Sequence, residues 1–259
     1  MSQEILYEVK DGVGRITFNR PEARNAFTFR MYERLAEICK QAPADSSVKV
    51  LVLTGADEKA FAAGTDISEF RKFSTAQDAL DYEARINGLL DAFERIPIPT
   101  IAAIAGACTG GGTTIAACCD LRIGAANVRF GVPIGRTLGN CLSMSNYTRL
   151  AALIGPARVK EIIFTARLID SGEARAIGLL SEVLPDYASL QSRADELART
   201  VASQAPLTLR ATKEALRRIK EKMIPEEDDN MILACYMSRD FREGLDAFLN
   251  KRTPKWTGT

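Results

Sequence analysis

Hydrophobic and polar positions alternate over Ile5–Lys10 and again over Val13–Phe18, and Asp11-Gly12 between them predicts a β-hairpin. A turn over 19–27 feeds a helical pattern at 28–40. The β-branched and leucine run at 48–54 predicts a buried strand, and residues 75–96 recover helical spacing with Leu80, Ile86, Leu89, Leu90 and Phe93 on one face. Pro97 and Pro99 end that pattern, and the apolar run at 101–105 is short enough for a second buried strand. Gly106, the triplet Gly110-Gly111-Gly112 and a small-residue run to Cys119 then predict strand, glycine turn and tightly packed helix.

Short strands follow at 120–124 and 128–130, and 131–140 is too rich in Gly and Pro for regular structure. Helices are predicted at 143–154 and 156–165, the second with Pro in its first turn. Asp170 to Glu173 reads as the capped start of a short helix to Ile177, and 179–184 as a strand. From Ala188 onward the pattern is nearly all helical. The mixture is α/β, with a core over 1–190 and a helical region over 191–259.

Charge removes some partners. With 34 basic and 33 acidic residues there is no global field for nucleic acid or an anionic membrane. The basic stretch 210–222 reads as a solvated helix face, with an anionic ligand as the alternative. The first residues lack a basic start and apolar core, and no apolar run approaches bilayer length. A cytoplasmic chain is therefore expected, its six cysteines reduced and mostly small buried residues.

The chain has no histidine, which excludes Ser-His-Asp, Cys-His and His-based metal chemistry. Chemistry must fall to carboxylates, tyrosine, cysteine, lysine, backbone amides or water. The glycine triplet supplies amides: at a helix start, N–H groups point outward without intrahelical partners and suit a phosphate or a reacting carbonyl oxygen. A strand-to-helix crossing with no ligand is the competing reading. A P-loop or dinucleotide site is a poor fit, since Gly110 to Thr114 lacks the lysine of the first and the spacing of the second.

Several separated motifs together resemble the crotonase family of enoyl-CoA hydratases and isomerases. They are Asn19-Arg20-Pro21-Glu22 with Asn25-Ala26, Phe61 to Ile67, the glycine triplet, Cys119 to Ile123, Phe130-Gly131 and the tail from Asp240 to Pro254. The resemblance implies a ββα spiral forming two roughly perpendicular sheets, and a helical C-terminal region for assembly into a homotrimer or dimer of trimers. It implies an acyl-CoA thioester ligand, with no cofactor beyond that coenzyme A and no metal. It also implies an oxyanion hole made by the amides of Thr65 and Gly111. Ala63, Ile67, Ser68 and Asp66 would line the acyl-CoA channel and Arg24 the nucleotide end. Asp66 also reads as a helix cap.

The sequence departs from the family where side-chain catalysis is concerned. Hydratases carry a glutamate two residues after the triplet, where this chain has Thr114, and a second after the FGxP segment, where Ile134 or Gly135 stands. Syn-addition of water uses both carboxylates, so hydration is expected to be weak. Candidates near the second position are Arg136 as a carboxylate clamp, Cys141 and Tyr147, each with a plain structural alternative. The reading is an acyl-CoA enzyme that stabilises a thioester enolate. Decarboxylation, a double-bond shift through an unplaced carboxylate, and acyl-CoA binding without turnover remain as alternatives.

Overall fold

The computed structural model describes residues 3–222 and 229–259. The predicted hairpin forms as β1 (Ile5–Lys10) and β2 (Val13–Phe18), antiparallel, with Asp11 and Gly12 both at positive φ in the turn. After a 3-10 turn, α1 (Phe29–Gln41) is capped by the Thr28 hydroxyl, which accepts from the Met31 amide. The chain then passes from one sheet to another three times. β3 (Val50–Gly55) leads to β4 (Ala60–Ala62), a 3-10 turn at Ile67–Lys72, and α2 (Ala76–Glu94). β5 (Thr100–Ile104) leads to β6 (Ala107–Thr109) and α3 (Gly111–Cys118). β7 (Leu121–Ala125) leads to β8 (Arg129–Gly131), α4 (Ile134–Thr137) and α5 (Met144–Thr165). This repetition is the expected ββα spiral. β9 (Ile169–Asp170), α6 (Ser171–Ala176) and β10 (Glu182–Leu184) close it, before α7 (Tyr187–Ala202), α8 (Pro206–Glu221), α9 (Asp229–Tyr236) and α10 (Arg239–Leu249).

The first sheet runs β1-β2-β3-β5-β7-β10 and the second β4-β6-β8-β9. Every neighbour pairing is parallel except β1/β2 and β8/β9. β3 and β5 are buried on both faces, which is why they read as unbroken apolar runs. Period-two alternation still sorts their side chains: Leu51, Leu53, Ala102 and Ile104 enter the main core, whereas Val50, Val52, Ile101 and Ala103 face α7.

Three sequence expectations need correction. Residues 134–137 of the supposed irregular stretch form α4. The last strand is confined to 182–184 because Leu179 and Leu180 are fixed by a turn, their amides donating to Ala174 O. The two helices expected at 143–154 and 156–165 do form, separated by a kink at Gly155, whose φ is 77°. The boundary at 190/191 falls inside α7, where Leu190, Ala194 and Ala198 are fully buried against the large sheet. Residues 223–228 of the helical expectation lie outside those described.

The basic stretch is α8. Lys213 bonds to Asp120 and the Ile98 carbonyl, Arg217 and Arg218 to Glu214, and Lys220 to Glu94, so most of its charge is spent within the chain. No residue of α8 is buried, and Leu207, Leu216 and Ile219 are 78%, 62% and 61% exposed. Among the described residues no helix is long and apolar enough to cross a membrane.

Candidate active site

The loop after β4 is set by a motif some forty residues earlier in the chain. Asn25 is fully buried at a left-handed φ of 54°. Its side-chain oxygen accepts from the Arg20 amide at 2.9 Å and its nitrogen donates to the Ala60 carbonyl at 2.8 Å. This fixes Arg24–Phe27 beside Ala63–Asp66: Ala63 N donates to Arg24 O, Phe27 N to Gly64 O and Asp66 N to Phe27 O. In such extended pairing successive residues present their amides to opposite sides. Gly64 O and Asp66 N face Phe27, so the Thr65 N–H faces the other way.

On that other side lies the start of α3. Gly110 takes the N-cap with φ 52° and ψ −121°, a backbone conformation open to glycine and strained for other residues. Gly111 is the first helical residue, so its N–H has no intrahelical acceptor. Gly112 is glycine for packing: a Cβ there would lie 2.2 Å from the Ala62 carbonyl oxygen. The two loops therefore touch, and a Cβ on Gly111 would lie 3.4 Å from Thr65 N. Among the described residues neither the Thr65 nor the Gly111 N–H has a protein acceptor.

The Thr65 side chain is pinned separately. Its hydroxyl is bonded to Tyr32 Oη at 3.0 Å and Tyr82 Oη at 3.1 Å. Burial pushes the Tyr32 phenol up to about 12, against the hydrogen bond from Thr65 and reinforced by the charge of Glu83. Tyr82 is raised further for the same leading reason. Both are neutral hydroxyls at any physiological pH.

Thr65 and Gly111 line a cavity of about 470 Å³. Its exposed wall residues include Arg24 and Phe248, and its buried ones Glu83, Ile86, Leu138 and Tyr236. Glu83 sits on α2 at 6% exposure and receives a hydrogen bond from the Tyr236 hydroxyl. Asn140 Nδ2 donates to the same phenol oxygen at 3.1 Å. Burial, then the adjacent Glu83 charge, keep Tyr236 protonated far above its ordinary range.

The sequence-derived candidates divide. Ala63, Thr65, Asp66, Ile67, Arg24, Gly111 and Cys141 are in the cavity wall. Ser68 is exposed and outside it; its amide and hydroxyl donate to Asp66 Oδ1 at 3.0 and 2.7 Å, so Asp66 caps the 3-10 turn as expected. Partial burial opposes the Asp66 charge, but the Ser68 hydroxyl, Arg20 at 2.7 Å and the Ser68 amide outweigh it and hold the carboxyl below its usual range. Arg136 is the plain correction: α4 turns it to solvent and it takes no part in the wall. Tyr147 also stays outside, packed on the core and bonded to the Leu142 backbone, its phenol raised chiefly by burial. The Cys141 sulfur lies 3.6 Å from Met231 O, and hydrogen bonding from Cys141 brings the Cys235 thiol down to about 7 in spite of burial. Thr114 is in the wall and donates to Gly111 O at 2.9 Å; Ile134 is a buried wall residue, and Gly135 beside it is exposed.

Glu83 and Tyr236 were not among those candidates, yet a signal was present. The buried stripe of α2 is Ala79, Glu83, Ile86, Leu90 and Phe93, an uninterrupted helical register in which one position is a carboxylate.

The enoyl-CoA hydratase/isomerase family model matches residues 8–259. A short-chain-enoyl-CoA hydratase of Clostridium acetobutylicum is 34% identical over 257 residues, covering 96% of this chain and 95% of the relative. The crystal structure of an enoyl-CoA hydratase/carnithine racemase from Magnetospirillum magneticum is similar at TM-score 0.81 and 33% identity, covering 100% of this chain and 97% of that one. A methylmalonyl-CoA decarboxylase in complex with 2-nitronate-propionyl-CoA is similar at TM-score 0.91 and 28% identity over the whole of both chains.

Proposed function

The chain belongs to the enoyl-CoA hydratase/isomerase (crotonase) family, and from that premise we propose that it binds an acyl-CoA thioester and stabilises its enolate between the main-chain N–H groups of Thr65 and Gly111. One observation carries this reading: two adjacent amides without protein acceptors, among the described residues, line one cavity. Each donor aimed at a developing oxyanion lowers a barrier by about 3 kcal/mol. Arg24, exposed in the wall, suits the anionic nucleotide end of the ligand. The buried apolar wall suits an uncharged acyl chain.

Hydration by the two-glutamate route is expected to be weak, because Thr114 at the first position and Ile134 or Gly135 at the second offer no proton acceptor of that strength. Decarboxylation of a carboxylated acyl-CoA is the second reading, and the 0.91 TM-score to a methylmalonyl-CoA decarboxylase supports it. The absence of Arg136 from the wall and the presence of the Glu83 carboxylate weigh against an anionic acyl group. We also infer that the exposed apolar residues of α8 are covered by self-association, and that the six free thiols reflect a cytoplasmic setting.

The test is optical. A conjugated aryl-acryloyl-CoA bound with its carbonyl in the hole absorbs at longer wavelength, because the donors draw charge onto the oxygen. Gly111→Ala puts a Cβ 2.5 Å from the Tyr32 hydroxyl, beside Thr65 N, and is expected to remove the shift. An unshifted spectrum at saturation, or no binding, overturns the proposal.

A further inference from the structure

We propose that Glu83 is the proton-transfer group of this cavity and Tyr236 its positioning residue, an inference that rests on the enolate reading above. Glu83 replaces, from a different element, the two loop carboxylates of the family, at whose positions Thr114 and Ile134 or Gly135 stand. Four observations converge on it.

The first is register. Position 83 belongs to the buried stripe of α2, where an apolar side chain would pack without cost, whereas burying a carboxylate is expensive. The second is location, since Glu83 shares the cavity wall with Thr65 and Gly111. The only other carboxylate in the described wall is Asp66, which is committed to Arg20 and Ser68. The third is reach. The preceding residue, Tyr82, bonds the Thr65 hydroxyl, so the turn of α2 that carries Glu83 is packed on the hole itself. The Glu83 charge acts on Tyr32, whose hydroxyl also holds Thr65 and adjoins Gly111, and on Tyr82, Tyr147 and Tyr236 around it.

The fourth is orientation. Asn140 Nδ2 donates to the Tyr236 oxygen, which leaves the single phenol proton for Glu83 Oε1. The carboxylate is thereby held by a donor that stays neutral.

In the step proposed, a Glu83 oxygen takes a proton from the acyl α-carbon. The C–H electron pair forms the new carbon–carbon double bond, and the thioester π pair moves onto oxygen, between the amides of Thr65 and Gly111. The protonated Glu83 then returns the proton to the same carbon, or to the γ-carbon of a β,γ-unsaturated chain with movement of the double bond. Nothing is oxidised or reduced and no co-reactant enters.

The experiment follows exchange of the α-protons of butyryl-CoA in D2O by the full-length protein, alongside the aryl-acryloyl-CoA spectral shift. Wild type should show both. Glu83→Gln keeps the Tyr236 contact but not the base, and should lose exchange by at least ~100-fold while the spectral shift remains. Tyr236→Phe should slow exchange by about 10-fold and move the acidic limb of its pH profile upward, as loss of a donor raises a carboxyl pKa, again with the shift intact. A residue that only supports the fold would not move that limb. Should Glu83→Gln not fold, Glu83→Asp retains the charge one methylene short, and unchanged exchange in it overturns the proposal. So does Glu83→Gln exchange within threefold of wild type, or a wild type that gives the spectral shift without exchange. In that last case the enolate-hole reading survives; a missing spectral shift removes both.

Discussion

Two carboxylates line the same cavity and illustrate opposite uses of one functional group. Asp66 accepts from a guanidinium, a hydroxyl and a backbone amide, with 20% of its side chain exposed. Its charge is spent on structure: it caps a 3-10 turn and ties the Thr65 loop to Arg20. Glu83 is deeper, and its Oε1 accepts from a phenol that burial keeps neutral. A charged partner depresses a carboxylate's pKa and with it its basicity; a neutral one orients it at a smaller cost in proton affinity. Both groups stand in the wall, and they differ in depth and in that Asp66 is tied to a guanidinium whereas Glu83 accepts from the Tyr236 phenol.

The sharpest break of that contrast is the pair of amide substitutions. Glu83→Gln should cost α-proton exchange at least ~100-fold, whereas Asp66→Asn should leave it within about threefold. Equal losses would erase the distinction. Next, Gly111→Ala should lower exchange by about 100-fold with both carboxylates in place, showing that neither works without the amide pair. Acid titration sharpens the structural side. The folded Asp66 carboxyl is held below its unfolded value near 3.9, so its contribution is complete above that pH and is lost as pH falls through the folded value. Asp66→Asn should therefore cost about 1 kcal/mol at pH 7 in urea unfolding, and progressively less as the pH falls through the folded value.

The same logic extends to the thiols at the cavity edge. Hydrogen bonding from Cys141 brings Cys235 to about 7, while burial raises Cys39 to about 12 and Cys108 higher still. Iodoacetamide labelling followed by peptide mass analysis should find Cys235 reacting first, with a midpoint near pH 7 that rises in Cys141→Ala. The smallest effect expected is that of Arg136→Ala, which should change neither exchange nor ligand binding, because α4 directs that side chain to solvent.

Much of the fold was legible because local rules and tertiary demands agree. The Asp11-Gly12 hairpin, the twice-buried runs at β3 and β5, and the capped start of α6 each follow from backbone preference and burial pattern. Where a short motif had two outcomes the packing chose. Residues 134–137 coil into α4 and Leu179-Leu180 are drawn into a turn by Ala174, neither of which composition distinguishes from the alternative.

The amino-acid sequence by itself determined the strand–glycine–helix units and the absence of histidine chemistry, because both follow from composition and local pattern, and through its family resemblance it pointed to the amides of Thr65 and Gly111 as the donors of the proposed hole. The same resemblance pointed to Thr114, and to Ile134 or Gly135, where hydratases of the family carry glutamates. Only the tertiary structure brought the Glu83 carboxylate into the cavity wall. Glu83 is 18 residues from Thr65 and 153 from Tyr236, and a helical carboxylate gains its role only from what the neighbouring turn, strand and C-terminal helix bring against it. The exclusion of Arg136 was decided at the same level, since one turn of helix sends a side chain toward the ligand or toward water.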